Sequence, residues 1–318
     1  MRARDPGPPR ALPWDVSKVK SYHGPDGDIL LGDVKEALSR AESKQWDFRG
    51  AIIDPPYNIG MHFREGGTDN VPLSEYSASL REVVGRALDI VGNGRMVLTY
   101  GYPEILAHLA RRFPLDKQKW LQWFRYDGYL NPHSKLWTRT HESILCVWRG
   151  DRPEIASMDA LRVPYSPGYL ERAGGPMGRK GNFRRGDSPN TNPGPRIARP
   201  DERGRIPGDV LYVPTVRRTA RKERWFVCET HNKLCPPELA AEHDSCARIK
   251  HPTQKPLALC RHLVLAITRP GKGAILVPYV GSGSECVAAK MAGVRFMGAE
   301  KDPLYLGLAA ARLRRIGE

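Results

Sequence analysis

One short segment organises this chain: Gly50-Ala51-Ile52-Ile53-Asp54-Pro55-Pro56-Tyr57-Asn58. Its uninterrupted apolar run predicts a strand that is buried on both faces, as in a parallel sheet. Pro55 ends this strand because proline has no N–H and holds the preceding residue in an extended conformation. The segment therefore presents Asp54 at the carboxyl end of a strand, where open α/β sheets bind their ligands. Tyr57 adds a flat face beside that acid, so we expect a planar, polar group to bind here.

A second segment, near the end of the sequence, predicts a βαβ unit. A strand over residues 274–279 meets the loop 281–283, a helix over 285–292 follows, and a strand over 294–300 ends at Glu300. Glycines let a ligand approach the backbone, and the N-terminus of the next helix favours a carboxylate. An acid about 20 residues beyond the loop has the spacing that binds a ribose diol. A purely structural turn is the alternative.

Hydrophobic patterns between these segments predict further strands and helices. Strands are expected at 27–33, 95–100, 120–126 and 142–148, the last two as antiparallel neighbours at one edge of the sheet. Helices are expected at 34–45, from about 80 to 88, at 257–268 and at 305–314. The chain therefore belongs to the α/β class.

Three motifs together resemble those of the DNA amino-methyltransferases, which methylate the exocyclic amine of adenine or cytosine. Asp54-Pro55-Pro56-Tyr57 is similar to the catalytic motif, His251-Pro252-Thr253-Gln254-Lys255-Pro256 to a second motif, and Val280–Gly283 with Gly298–Glu300 to the cofactor motif. The catalytic motif comes first, which is the order of the permuted beta class. The resemblance covers residues 25–150 and 250–315.

This resemblance implies a Rossmann-like, S-adenosylmethionine-dependent methyltransferase sheet, circularly permuted, with a loop-rich basic target-recognition insertion. The implied organisation has four parts: a flexible tail (1–20), a catalytic half (21–150), a target-recognition region (151–250) and a cofactor-binding half (251–318).

The resemblance also assigns site residues. The catalytic residues are Asp54, Pro55, Pro56 and Tyr57. The residues expected to bind S-adenosylmethionine are Asp33, Thr253, Lys255, Tyr279, Gly281, Ser282, Gly283, Glu285 and Glu300. Asp33, Asp54 and Glu300 all end predicted strands, so they can converge at one edge of a parallel sheet. A helix cap is the alternative for Asp33, and a structural turn is the alternative for residues 251–256.

Two positions depart from the family pattern, and two more are assigned only by analogy. Val277 stands where most members have an acid that holds the amino group of the cofactor, and Glu285 stands where threonine is common. We hypothesise that Glu285 binds that amino group in place of the missing acid. A site that no longer binds cofactor is the alternative. By analogy His141 and Trp148 line the base pocket, with a place in the core as the alternative.

The chemistry predicted for this site is methylation of the N6 amine of an adenine flipped out of DNA. Asp54 and the Pro55 carbonyl would each accept a hydrogen bond from the amine, which aims the nitrogen lone pair outward. Tyr57 would stack on the base. Within the family an Asp before Pro-Pro-Tyr goes more often with adenine. Cytosine-N4 methylation is the first alternative, a non-catalytic DNA-binding protein the second, and an RNA substrate the third.

Charge supports a nucleic-acid partner. The formal net charge is +15 and the pI is about 9.7. Residues 161–224 hold 15 Lys and Arg against 6 Asp and Glu, so +9 falls in one fifth of the chain. We therefore expect double-stranded DNA to bind this basic region, with a solvated loop as the alternative. A homodimer is a candidate assembly because members of the family often dimerise. A cognate restriction endonuclease is a further candidate partner.

Other classes of protein fit the sequence poorly. The chain has no apolar run long enough for a membrane span and no secretory core, and its six scattered cysteines suggest reduced thiols. We expect a cytoplasmic protein of a bacterium or a phage-infected host. No Pro-Cys pair occurs, which argues against cytosine-C5 chemistry. No metal is predicted, although Cys228, His231, His243 and Cys246 leave a zinc site as an alternative.

Overall fold

The computed structural model describes residues 19–63, 67–125, 135, 137–171, 200–216, 225–228, 233–235 and 248–316. The strands are β1 (Ser21–Gly24), β2 (Gly27–Leu31), β3 (Phe48–Ile53), β4 (His62–Phe63), β5 (Gly67–Thr68), β6 (Met96–Gly101), β7 (Gln118–Phe124), β8 (His141–Trp148), β9 (Val210–Tyr212), β10 (Phe226–Cys228), β11 (Lys233–Cys235), β12 (Arg248–Ile249), β13 (Ala274–Val277) and β14 (Arg295–Glu300). The helices are α1 (Val34–Ser43), α2 (Leu73–Val91), α3 (Pro103–Ala110), α4 (Met158–Leu161), α5 (Pro167–Leu170), α6 (Leu257–Ile267), α7 (Ser284–Met291) and α8 (Pro303–Arg314).

Within the described residues, nine strands form one sheet in the order β1-β2-β14-β13-β3-β6-β8-β7-β9. The five strands from β2 to β6 in this order are parallel, so their carboxyl ends share one edge. Strand β3, which ends at Ile53, contains Gly50 and Ala51, whose small size admits close neighbours: a Cβ on Gly50 would lie 2.9 Å from Ile267. The predicted parallel core is confirmed.

Helices cover both faces of the sheet. Along β3, Ala51 and Ile53 pack in the cluster of α1, α2 and α3, whereas Ile52 packs in the cluster of α6, α7 and α8. Alternation along a strand sends successive side chains to opposite faces, so an all-apolar strand requires two covered faces. The result is three layers, helices on both sides of a central sheet.

The predicted elements are present with small changes in their bounds. The antiparallel pairing of β7 with β8 is confirmed, with Trp123 opposite Glu142. Strand β13 ends at Val277, two residues earlier than predicted, because Pro278 follows. The short strands β1 and β9 were not predicted; β1 pairs antiparallel with β2, and β9 pairs parallel with β7.

Residues 158–208 form a second compact unit, separate from the rest of the chain. In its described part, Val163 and Arg205 form an antiparallel bridge, and Arg162 lies between Asp159 (2.8 Å) and Asp201 (3.2 Å). Residues 172–199 of the predicted target-recognition region lie outside the described residues, as do 217–224, 229–232 and 236–247. No helix in the described part of the chain combines the length and the apolar character that crossing a bilayer requires.

Candidate active site

A cavity of about 350 Å³ opens at the carboxyl edge of the parallel strands. The predicted site residues that line it are Asp33, Asp54, Pro55, Pro56, Tyr57, Thr253, Lys255, Tyr279, Gly281, Ser282, Glu285 and Glu300. Gly283 lies outside this lining and begins α7 with a φ of 78°, where a Cβ would lie 2.7 Å from that of Ala309. Segments more than 200 positions apart in the sequence thus meet in one cavity.

Asp54 follows directly after β3 and is held by a buried lysine. The Lys255 ammonium donates to both Asp54 carboxylate oxygens at 2.8 Å, and its side chain is only 4% exposed. A charge this deeply buried requires a partner, which explains why Lys255 contacts the carboxylate so closely. Lys255 was predicted to contact a cofactor; in the structure its ammonium pairs with Asp54, and the residue also lines the cavity.

Tyr57 lies beside this ion pair. Its hydroxyl donates to Glu142 Oε2 at 2.8 Å and lies 3.2 Å from Asp54 Oδ1. Its ring meets that of Tyr102 edge-on, with 5.2 Å between the centroids. The Tyr76 hydroxyl, on the first turn of α2, donates to the Pro56 carbonyl at 2.6 Å. These contacts fix the loop that follows β3.

Glu142 belongs to this site, although the sequence did not identify it. Strand β8 runs antiparallel to β6, so its first residues lie beside the carboxyl end of β6, and Glu142 contacts Tyr57 and Lys255 of the cavity wall. Glu142 accepts from Arg125 Nη1 at 3.2 Å and lies 3.8 Å from Lys255 Nζ. An acid at the start of an otherwise apolar strand was the available signal.

Of the two alternatives for Trp148, the base pocket and the core, the structure shows the core. Trp148 pairs with Met96 at the opposite end of β6 and is buried in the core. His141, the first residue of β8, is not part of the cavity lining formed by the described residues. A strand of this length extends about 3.4 Å per residue, so its two ends lie on opposite edges of the sheet.

The protonation states in this cluster follow from burial and charge. Burial raises the pKa of Asp54, and the charge of Lys255 opposes that rise. Burial by itself would lower the pKa of Lys255, but the carboxylates of Asp54 and Glu142 outweigh it and raise that pKa. Lys255 therefore stays charged near neutral pH, and Asp54 pairs with it as a carboxylate.

Glu285 lies on the first turn of α7, also buried and facing the cavity. Its carboxylate accepts from Cys260 Sγ at 3.4 Å. Burial and the neighbouring Asp54 raise the pKa of Glu285 to about 7, in spite of the charge of Lys255. The side chain of Val277, at the end of β13, is part of the apolar core and offers no polar atom.

The glycine loop is fixed by Glu300. Gly281 N donates to Glu300 Oε2 at 2.7 Å, and Asp302 N donates to Oε1 at 2.9 Å. Each carboxylate oxygen can accept more than one hydrogen bond, so Glu300 keeps capacity toward the cavity. Burial raises its pKa. The predicted convergence of Asp33, Asp54 and Glu300 on one edge is confirmed by their common cavity.

A residue of the last helix, Arg312, also holds this loop and was not predicted. Its guanidinium, buried at 4% exposure, donates to the Ser282 carbonyl, to Ser282 Oγ at 3.2 Å and to Ser284 Oγ at 3.1 Å. The serine side chains of the loop therefore face a fixed cation, which restricts their motion.

Asp33 caps a helix, which is the alternative that the sequence left open for it. It accepts from Lys35 N at 2.7 Å and Glu36 N at 3.1 Å, while Glu36 accepts from Asp33 N at 2.9 Å. This is a capping box at the start of α1. The Asp33 side chain is exposed, and the residue also lines the cavity.

Substitution of Gly281 tests how tightly this loop is built. Gly281 has a φ of 54°, and a Cβ there would lie 2.8 Å from His251 Nε2. We expect Gly281→Ala to lower the free energy of unfolding by more than the ~1–2 kcal/mol of a left-handed backbone alone. Gly271→Ala is the matched control, since Gly271 has a φ of 71° and open space around it. Equal losses in denaturant unfolding would contradict the expected clash.

Residues 48–311 match the family model described as DNA methylase, the N6/N4 methyltransferases. The chain belongs to the N6/N4 DNA methylase family. The family part of the resemblance stated from the motifs is thereby confirmed.

Two curated relatives of this chain are type II methyltransferases. M2.DpnII of Streptococcus pneumoniae is 46% identical over 69 residues, which is 22% of this chain and 25% of that protein. M2.LlaDCHI of Lactococcus lactis subsp. cremoris is 42% identical over 66 residues, which is 21% of this chain and 24% of that protein. The matched parts thus span about a quarter of these relatives.

Solved structures share the fold of this DNA methylase. The M1.HpyAVI complex with SAM superposes with a TM-score of 0.52 at 15% identity, covering 90% of this chain and 98% of that one. The cytosine-N4-specific PvuII DNA methyltransferase gives a TM-score of 0.56 at 14% identity, covering 92% and 87%. At these identities the likeness shows the fold alone, and the predicted α/β methyltransferase sheet is confirmed.

The zinc alternative falls mostly on residues outside the described part of this DNA methylase. Cys228 and Cys235 are buried on β10 and β11, whereas His231, His243 and Cys246 are not described. Among the residues that are described, no group of three His, Cys, Asp or Glu side chains is placed to hold a metal ion.

Proposed function

We propose that this DNA methylase transfers a methyl group from S-adenosylmethionine to the N6 amine of an adenine that is flipped out of double-stranded DNA. The observation that carries the proposal is the common cavity of Asp54, the 281–283 loop and Glu300. A base amine held at Asp54 and a cofactor held at Glu300 would share one space of about 350 Å³, within the size range of small-molecule sites.

The residues around the loop fit S-adenosylmethionine. Glu300 has acceptor capacity for two ribose hydroxyls, and Thr253, Tyr279 and Ser282 line the same cavity. S-adenosylmethionine would supply a methyl group that already carries a good leaving group. The protein would then contribute position and fixed dipoles, and no nucleophile of its own.

The residues around Asp54 fit an exocyclic amine. Asp54 Oδ2 accepts from Lys255 and has a further lone pair, and Pro55 contributes to the cavity wall. We propose that Asp54 and the Pro55 carbonyl accept hydrogen bonds from the two amine hydrogens, and that Tyr57 stacks on the base. Lys255, predicted as a cofactor contact, is proposed instead to keep Asp54 ionised in a buried site.

Glu285 is proposed to bind the amino group of the cofactor in place of an acid at Val277. Only the carboxylate can do this, and the pKa of Glu285 is about 7. Affinity for S-adenosylmethionine should therefore fall as the pH drops below about 7.

Glu285→Gln tests that role by calorimetry. We expect the variant to bind S-adenosylmethionine about tenfold more weakly at pH 8, and to lose the dependence on pH. Glu42→Gln, which removes a carboxylate paired with Arg86 outside the cavity, is the matched control and should leave binding unchanged. Unchanged affinity in Glu285→Gln would rule the role out.

The remaining assignments concern the whole protein. We propose the permuted order of the beta class, because the Asp54 strand precedes the glycine-loop strand in the chain. Residues 151–250 would contact DNA, since +9 of the net charge falls at 161–224. We also propose a tail over 1–20, a catalytic half over 21–150, a cofactor-binding half over 251–318, a cytoplasmic location and a homodimer. A cognate endonuclease is a further proposal, which the type II relatives support.

Cytosine-N4 methylation is the second candidate, and the identity of the methylated base separates the two. DNA incubated with the protein and labelled S-adenosylmethionine would be digested to nucleosides and resolved. Label in N6-methyl-2′-deoxyadenosine supports the proposal, whereas label in N4-methyl-2′-deoxycytidine supports the alternative. If the folded protein transfers no methyl group, the alternative that remains is a non-catalytic DNA-binding protein. Valine in place of the family's acid at position 277 favours that alternative.

A further inference from the structure

The hydroxyl of Tyr57 has one hydrogen and two carboxylates within reach. Glu142 Oε2 lies 2.8 Å away and Asp54 Oδ1 lies 3.2 Å away. A single hydroxyl hydrogen cannot serve both carboxylates fully, and the shorter contact goes to Glu142. The hydrogen bond of Tyr57 is thus directed away from the acid at the end of β3.

Lys255 is shared between the same two carboxylates. Its ammonium lies 2.8 Å from both oxygens of Asp54 and 3.8 Å from Glu142 Oε2. These three groups together carry a formal charge of −1. If Glu142 were absent, Lys255 would pair with Asp54 alone, Arg125 would lose its carboxylate partner, and there would be less negative charge beside Asp54.

Glu142 is itself held in place from outside the cavity. Arg125 Nη1 donates to Glu142 Oε1 at 3.2 Å, and the backbone of Glu142 is paired with Trp123 on β7. Its side chain is 11% exposed. One oxygen therefore faces Arg125 and the other faces Tyr57 and Lys255, which is the arrangement of a fixed acceptor.

We infer that Glu142 is a positioning residue of the proposed reaction. It accepts the hydrogen bond that the Tyr57 hydroxyl donates, and it shares the ammonium of Lys255 with Asp54 as a counter-charge. Asp54 then keeps a lone pair and a net negative charge for the substrate amine. The inference rests on the proposed methyl transfer. Glu142 acts through Tyr57 and Lys255 and touches no reacting atom.

A double-mutant cycle with Tyr57→Phe tests this inference. Kinetic constants for methyl transfer would be measured for wild type, Glu142→Gln, Tyr57→Phe and the double variant, between about pH 5 and 9. We expect Glu142→Gln to lower kcat roughly tenfold or more, with the KM for S-adenosylmethionine unchanged. We also expect the double variant to be no slower than the slower single variant.

The pH profile separates positioning from a merely structural role. In Glu142→Gln the Tyr57 hydroxyl turns its hydrogen to Asp54 and a like charge is lost. The acid limb of kcat should therefore move to lower pH when it is measured at saturating S-adenosylmethionine, where the pH-dependent cofactor affinity assigned to Glu285 does not contribute. The movement should be smaller in the Tyr57→Phe background. Glu42→Gln, an ion-paired glutamate outside the cavity, is the control and should match wild type.

Each outcome decides one point. A Glu142→Gln variant within about twofold of wild type, an acid limb that does not move, or additive effects on kcat would overturn the inference. If Glu142→Gln does not fold, Glu142→Asp keeps the charge but shortens the reach, and the same loss of kcat is expected with less movement of the limb. A wild-type protein that transfers no methyl group would instead refute the proposed function.

Discussion

Asp54→Asn should lower kcat for methyl transfer by about 10²–10³-fold. The amide has the shape of the carboxylate but lacks its charge, and it presents a donor where Lys255 donates at 2.8 Å. The substrate amine would lose an anionic acceptor at the point where positive charge develops. Single-turnover measurement of labelled methyl transfer to unmethylated DNA would give the rate constant.

Asp28→Asn is the control for that variant. Asp28 is also a buried aspartate paired with a lysine, since Lys44 Nζ lies 3.3 Å away and the Asp28 side chain is 11% exposed. It lies on β2, outside the cavity lining. We expect it to keep the wild-type kcat. An equal loss of kcat in both variants would mean that the effect comes from any broken buried pair.

Lys255→Met should have the largest effect on stability. The change leaves Asp54 and Glu142 buried without their ammonium, a situation that typically destabilises a protein by about 3–5 kcal/mol. Denaturant unfolding at neutral pH would measure it. Lys44→Met, which removes a 29%-exposed lysine from Asp28, should destabilise by about 1 kcal/mol or less.

The pH dependence of this loss has a definite sign. The pKa of Lys255 is raised by folding, so its stabilising contribution is complete below its unfolded pKa and is lost only as the pH rises through its folded pKa. In Lys255→Met the Asp54 carboxylate loses its counter-charge while burial still raises its pKa, so the variant should regain stability as the pH falls below neutral and Asp54 becomes protonated. A variant as stable as wild type would contradict the pairing.

The parallel core could be predicted from the sequence because its strands are continuous apolar runs. Ala51, Ile52 and Ile53 must all be buried, which requires helices on both faces and sets Asp54 at the carboxyl edge. The short strands β1 and β9 escaped prediction because three or four residues carry no clear period. Their pairing depends on neighbours distant in the chain.

The partners within the site depended on the sheet register, which the sequence does not show. Glu142 reaches Tyr57 and Lys255 because β8 runs antiparallel to β6, and the same register places Trp148 at the other edge of the sheet. The motif predicted that Lys255 lies near a cofactor, but no sequence pattern showed that its ammonium pairs with Asp54. Arg312 reaches the loop only because α8 packs against it.

A crystal structure of the protein with S-adenosylmethionine would test the central claim most directly. We expect the ribose hydroxyls within hydrogen-bonding distance of Glu300 and the methyl group on the side of the cavity that Asp54 lines. A cofactor bound elsewhere, or one whose methyl group faces away from Asp54, would contradict a single cavity for both partners of the transfer.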